Sequence, residues 1–128
     1  MPRFLTRHLP AIVWAIVVGV LLALPGGTFS SLARRVPNWA ESWVDKGIHA
    51  LLFLVLAALL LHSARGIAAI RRPVAAVLVG TLTYALLLEL LQTQVSGRGL
   101  DPLDFVAGGV GALVGLAIAF NWGAGSLP

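Results

Sequence analysis

Residues 73–94 read PVAAVLVGTLTYALLLELLQTQ, an apolar run in which Glu89 is the only charged side chain. Pro73 suits the first turn of a helix, where its missing N–H costs nothing. The run is too long for a strand and shows no period-two alternation. At about 1.5 Å per residue it is long enough, as a helix, to cross a hydrocarbon core of ~30 Å. Three further stretches read the same way, at about 10–24, 43–64 and 102–122. The first is short for a span, and Phe4, Leu5 and Leu9 extend it, with Arg7 reaching back to the headgroups. Pro25-Gly26-Gly27 ends it without an A-x-A-like cleavage site, so an uncleaved helix is expected rather than a signal peptide.

Composition agrees with this reading. Hydrophobic residues make up 59% of the 128 and charged residues 11%, against ~25% charged in soluble domains. The expected fold is an all-α membrane protein, one domain over residues 1–128, built as an antiparallel bundle of four transmembrane helices. The net charge of +4 does not point to nucleic acid, because the arginines sit at segment ends and form no basic face. They read as topology signals. Arg3, Arg7, Arg65, Arg71 and Arg72 fall on one side, and Arg34, Arg35, Lys46 and Arg98 on the other. That excess places both termini in the cytoplasm. Residues 28–44 are expected as a loop or an amphipathic turn whose Trp39 and Trp43 lie in the interfacial belt. The chain has no cysteine, which excludes disulfides, thiolate ligands and cysteine nucleophiles.

With four crossings, most of the polar residues arrive at one face. Asp45 and His49 are four apart and share a side of segment two. Glu89 and Gln92 share a side of segment three, and Asp101 and Asp104 open segment four. Lys46 lies about 100° around from Asp45 and is expected to point elsewhere. Glu89 sits several residues inside its helix end, so it should pair with a cation or take up a proton. Arg98, His49 and Lys46 are the candidate cations. Other roles are more ordinary. Asp101 before Pro102 is a strong helix cap, Ser42 with Asp45 resembles a capping box, and Asp104 is also placed to favour a helix start. Gln92 suits an interhelical hydrogen bond. Gly108, Gly111 and Gly115 form a small-residue stripe for close helix packing.

Together these residues resemble the VanZ-like family of small bacterial membrane proteins. Val44-Asp45-Lys46-Gly47-Ile48-His49 is similar to its D-K-x-x-H opening, and Glu89-Leu90-Leu91-Gln92 to its E-x-x-Q segment. Arg98-x-x-Asp101-x-x-Asp104, followed by Gly111 and Gly115, resembles its R-x-x-D-x-x-D-x-x-x-N-x-x-G-x-x-x-G, with Gly108 where the family usually has asparagine. The resemblance covers residues 44 to about 120. It implies a multi-pass protein of the bacterial cytoplasmic membrane. The family takes its name from a protein linked to resistance to teicoplanin, a lipid-tailed glycopeptide.

Three functions are expected candidates. The first is a site at the outer-leaflet face that binds, or binds and modifies, a polar or anionic head group. Arg98 and Lys46 would hold phosphate or carboxylate, and the carboxylates hydroxyls, amines or a divalent cation. The partner would be a bilayer lipid, a lipid-linked envelope precursor or a lipid-tailed glycopeptide. The second is a metal-dependent lipid-modifying enzyme, with Asp45, His49, Glu89 and Asp104 as ligands for Mg²⁺ or Mn²⁺. No nucleophile motif accompanies them. The third is an accessory subunit whose polar cluster only locks the bundle. Cofactor identity stays open.

Overall fold

The computed structural model describes residues 2–24, 37–94 and 99–125. Among them the chain is all-helical: α1 spans Arg3–Ala23, α2 Asn38–Ala64, α3 Pro73–Gln92 and α4 Pro102–Gly125. Each of the four is long and apolar enough to cross a membrane. Their outward surface is apolar along its length: Ile16, Val79, Leu113 and Phe120 are all more than half exposed. Water would penalise such a surface.

Two boundaries differ from expectation. α1 begins at Arg3 and carries Pro10 inside it. Pro10 leaves the Thr6 carbonyl without its usual donor, near the N-terminal end of α1. α2 begins at Asn38, directly after Pro37, so Trp39 and Trp43 lie on helix rather than in a loop. Ser42 is therefore no cap. It sits a turn inside α2, where its hydroxyl accepts a hydrogen bond from Lys46 Nζ at 3.1 Å. The expected starts of α3 at Pro73 and α4 at Pro102 coincide with the observed ones.

α2 supplies the centre of the core. Phe53, Leu56, Ala57 and Leu61 are almost fully buried against Val18 and Leu22 of α1, Val77 and Ala85 of α3, and Ala112 and Leu116 of α4. Buried and half-buried polar groups tie the helices to one another's backbone. Trp14 Nε1 donates to Leu52 O at 3.0 Å, Tyr84 Oη to Ala15 O at 2.6 Å and Gln92 Nε2 to Leu22 O at 2.7 Å.

The tightest approach joins α2 and α4. A Cβ at Gly111 would overlap the Ala50 carbonyl, and one at Gly115 the Leu54 carbonyl. Only glycine lets the two backbones touch. Gly108 lies under the Phe53 ring, whose nearest atom would be 2.9 Å from an added Cβ. Pairs advance together along both helices, from 50 with 111 to 54 with 115, so the start of α4 lies beside the first half of α2.

This contact predicts a contrast. Gly111→Ala and Gly115→Ala meet backbone rather than a movable side chain, and each should destabilise by at least the ~1–3 kcal/mol of an overpacked core. Gly80→Ala, with nothing within 4 Å of its added methyl, should be neutral or slightly stabilising. Equilibrium unfolding in detergent micelles, followed by circular dichroism, checks both.

Candidate functional site

The polar residues of α2, α3 and α4 meet at one end of the bundle. Asp45, Lys46 and His49 come from the third and fourth turns of α2. Glu89 comes from the last turn of α3, and Asp101 and Asp104 flank the start of α4. His49, Glu89 and Asp104 are buried, at 2%, 4% and 6% exposure.

Lys46 does not point elsewhere. Its ammonium lies 3.3 Å from Asp101 Oδ2 and 3.5 Å from Asp104 Oδ1. The Gly111–Gly115 contact brings α4 against the side of α2 that carries Lys46, and the four-carbon stem covers the rest of the distance.

Glu89 has a backbone partner that the charges alone did not suggest. Among the described residues it pairs with neither His49 nor Lys46; its Oε1 accepts the Asp101 backbone N–H at 2.8 Å. Arg98 lies outside the described residues. The N–H of a helix-capping residue is normally taken by the side chain three residues on, in a capping box. That residue here is Asp104, and Glu89 has taken its place from across the turn. Asp101 caps α4 as expected: its Oδ1 accepts from Leu103 N at 3.0 Å. Asp104 is thereby freed from both capping tasks.

Asp104 faces two groups instead. Its Oδ1 faces Lys46, close enough for attraction but without a hydrogen bond, and its Oδ2 lies 3.9 Å from His49 Nε2. His49 Nδ1 lies 3.1 Å from the Asp45 carbonyl oxygen and 4.0 Å from Asp45 Oδ1. A carbonyl can only accept, so Nδ1 carries the proton. Nε2 is buried with no hydrogen-bond partner among the described residues.

Gln92 leaves the site. It is buried, and its amide donates to Leu22 of α1, so it serves as interhelical glue. Of the candidate metal ligands, Asp45, His49 and Asp104 each bring a donor atom within 4.8 Å of the others. Glu89 is not in that group. Gly108, Gly111 and Gly115 serve packing.

At the other end lies a polar group that sequence reasoning missed. Arg7 does not simply reach outward: its Nε and an Nη hydrogen-bond the His62 carbonyl at 3.2 and 3.1 Å, near the α2 C-terminus. There a cation offsets unpaired carbonyls. His8 pairs with Ser63. The signal was present as two polar residues interrupting apolar runs, but nothing in their spacing matched one to the other.

No family model, curated protein or solved structure matches the chain.

Lys46 holds two carboxylates together, and this can be tested. Lys46→Met should cost about 3 kcal/mol, because it strands Asp104 in a buried position. Adding Asp104→Asn should recover much of that loss. A double-mutant cycle on unfolding free energies measures the coupling.

Proposed function

We propose that the chain is a multi-pass protein of a bacterial cytoplasmic membrane, with its clustered polar end at the outer-leaflet face, where it binds the polar head group of a lipid or lipid-linked envelope component. One observation carries this reading. At the end of an otherwise apolar bundle, His49 Nε2 is buried without a hydrogen-bond partner among the described residues, and Asp104 Oδ1, also without one, has its ion pair with Lys46 at 3.5 Å instead. A purely structural cluster would pair such groups, because each costs about 1–3 kcal/mol when left unmade.

Several features support the setting. The contact pairs run together along α2 and α4, and also along α1 and α3 (15 with 84, 22 with 92). Arg7 with His62 and Trp14 with Leu52 run in opposition along α1 and α2. These registers favour an antiparallel up-and-down bundle. Exposed Trp39 and Trp43, four apart on α2, suit a membrane interface at the clustered end. The Lys and Arg bias favours cytoplasmic termini.

The resemblance to the VanZ-like family falls on the clustered Asp45, Lys46, His49, Glu89, Asp101 and Asp104, and also on Gln92, which bonds to α1, and on Arg98, which lies outside the described residues. Its one departure has a local counterpart. The space that an asparagine would need at position 108 is taken by the Phe53 ring, so packing replaces an amide there. A nucleophilic enzyme is disfavoured. Ser42 does contact Lys46, but an ammonium set between two carboxylates has no lone pair with which to act as a base.

Two measurements test the proposal. Cysteines placed by Gly47→Cys and Gly99→Cys should label from the outer side of intact cells, and Ala69→Cys only after permeabilisation. The reverse pattern would overturn the orientation. Native mass spectrometry of the purified protein should show a retained lipid or lipid-linked species that is lost in His49→Ala and Asp104→Asn. Equal lipid retention by wild type and both variants would leave the cluster a mere lock.

A further inference from the structure

The gap beside His49 gives the site a more specific content, which rests on the head-group reading. With Nδ1 protonated against the Asp45 carbonyl, a neutral His49 presents a lone pair at Nε2. Opposite it, at 3.9 Å, is Asp104 Oδ2. An ionised carboxylate also only accepts. A buried imidazole nitrogen with no hydrogen-bond partner among the described residues thus faces a carboxylate oxygen across a gap too wide for a hydrogen bond.

A cation resolves this conflict. A tetrahedral zinc, with bonds of ~2.0 Å to imidazole nitrogen and ~2.1 Å to carboxylate oxygen, sets those two atoms about 3.3 Å apart, so the side chains need to close by roughly half an ångström to hold it. Asp45 supplies a third donor, and one atom from each of the three residues lies within 4.8 Å of the other two. The hydrogen bond from Nδ1 to a backbone carbonyl is the outer-shell contact that usually orients a metal-binding histidine. Lys46 does not fill this role, because it sits on the other oxygen of Asp104. Glu89 is held by the Asp101 amide. One imidazole with two carboxylates favours a first-row transition ion over calcium, which prefers oxygen alone.

We propose that Asp45, His49 and Asp104 bind a divalent transition-metal ion, zinc or manganese, with at least one coordination position left for an oxygen of the head group. Asp45 is the half-exposed ligand, with 42% of its side chain accessible, so the open position faces out of the bundle. The ion also settles a sign problem. The described cluster sets four carboxylates (Asp45, Glu89, Asp101 and Asp104) against one ammonium, which repels an anionic head group. A bound divalent ion cuts the excess of this set from −3 to −1 and puts a positive centre where a phosphate or carboxylate oxygen would sit.

The test uses the full-length protein in detergent, titrated with Zn²⁺ and Mn²⁺ separately and followed by calorimetry, with metal content measured after dialysis. One ion per chain is expected. His49→Ala and Asp104→Asn should weaken affinity by more than the ~10-fold that loss of an outer-shell partner brings. Asp45→Asn, at a half-exposed position, provides a variant whose folding is not at risk. Manganese electron paramagnetic resonance should show nitrogen coupling in wild type that disappears in His49→Ala. His62→Ala, at the other end of the bundle, should bind like wild type. The proposal is overturned if neither ion binds saturably, or if binding is unchanged by the His49 and Asp104 substitutions; His49 is then an imidazolium paired with Asp104. Lipid retained by metal-free protein would sink the metal site but leave the head-group reading standing. Metal bound without any lipid would do the opposite.

Discussion

The backbone contact between α2 and α4 is the constraint on which the rest depends. Gly111 and Gly115 let the carbonyls of Ala50 and Leu54 lie directly against α4. Any side chain there would push the helices apart. The polar cluster lies along the same interface, two to three turns from the glycines on α4 but with His49 next to Ala50 on α2, so a shift in that contact would be felt at Lys46, His49 and Asp104 together. Long side chains adjust to small errors, but an imidazole and a short aspartate do not. The distance between His49 Nε2 and Asp104 Oδ2 is set largely by the two glycines, neither of which touches the cluster.

Within the cluster the carboxylates divide their tasks. Asp101 caps α4, and Glu89 accepts the capping residue's own N–H from across the turn. Both are thereby explained by helix termination. Asp104 is the residue that a capping box would have occupied, and it is released toward α2. One carboxylate more than α4 needs for its start is what makes a charged pocket here rather than a satisfied helix end.

Much of this was legible in the sequence, for identifiable reasons. Four long apolar runs, with Pro73 and Asp101-Pro102 as start signals, mark the helices because hydrophobicity and proline act locally. The packing role of Gly108, Gly111 and Gly115 follows from spacing alone. The errors came where a partner lies on another element. Ser42 looked like a cap because the helix was expected to start at Trp43, yet Pro37 allows an earlier start and nothing in 38–42 forbids it. Lys46 looked misdirected because helical angles ignore where the neighbouring helix comes to rest. For Glu89, a buried charge suggests another charge, and Arg98 lies outside the described residues, but the partner seen is a free backbone amide at a helix start. Gln92 shared a helix face with Glu89, yet it makes the interhelical hydrogen bond also expected of it, to α1, and so leaves the site.

The two ends of the bundle separate structural polarity from polarity that invites a ligand. At the Arg7 end, each polar group named has a partner: the guanidinium has the His62 carbonyl and His8 has Ser63. These bonds join α1 to α2 and need nothing further. At the opposite end the same kinds of residue are more numerous and more deeply buried, yet an imidazole nitrogen and a carboxylate oxygen face each other without a hydrogen bond between them. Folding alone gives no reason to bury that arrangement, since replacing His49 and Asp104 with apolar residues of similar volume would remove the conflict at little cost. An arrangement that is unfavourable by itself and becomes favourable with a cation is the physical form of a binding site, and it explains why this end, rather than the better-paired one, is where a ligand should be sought.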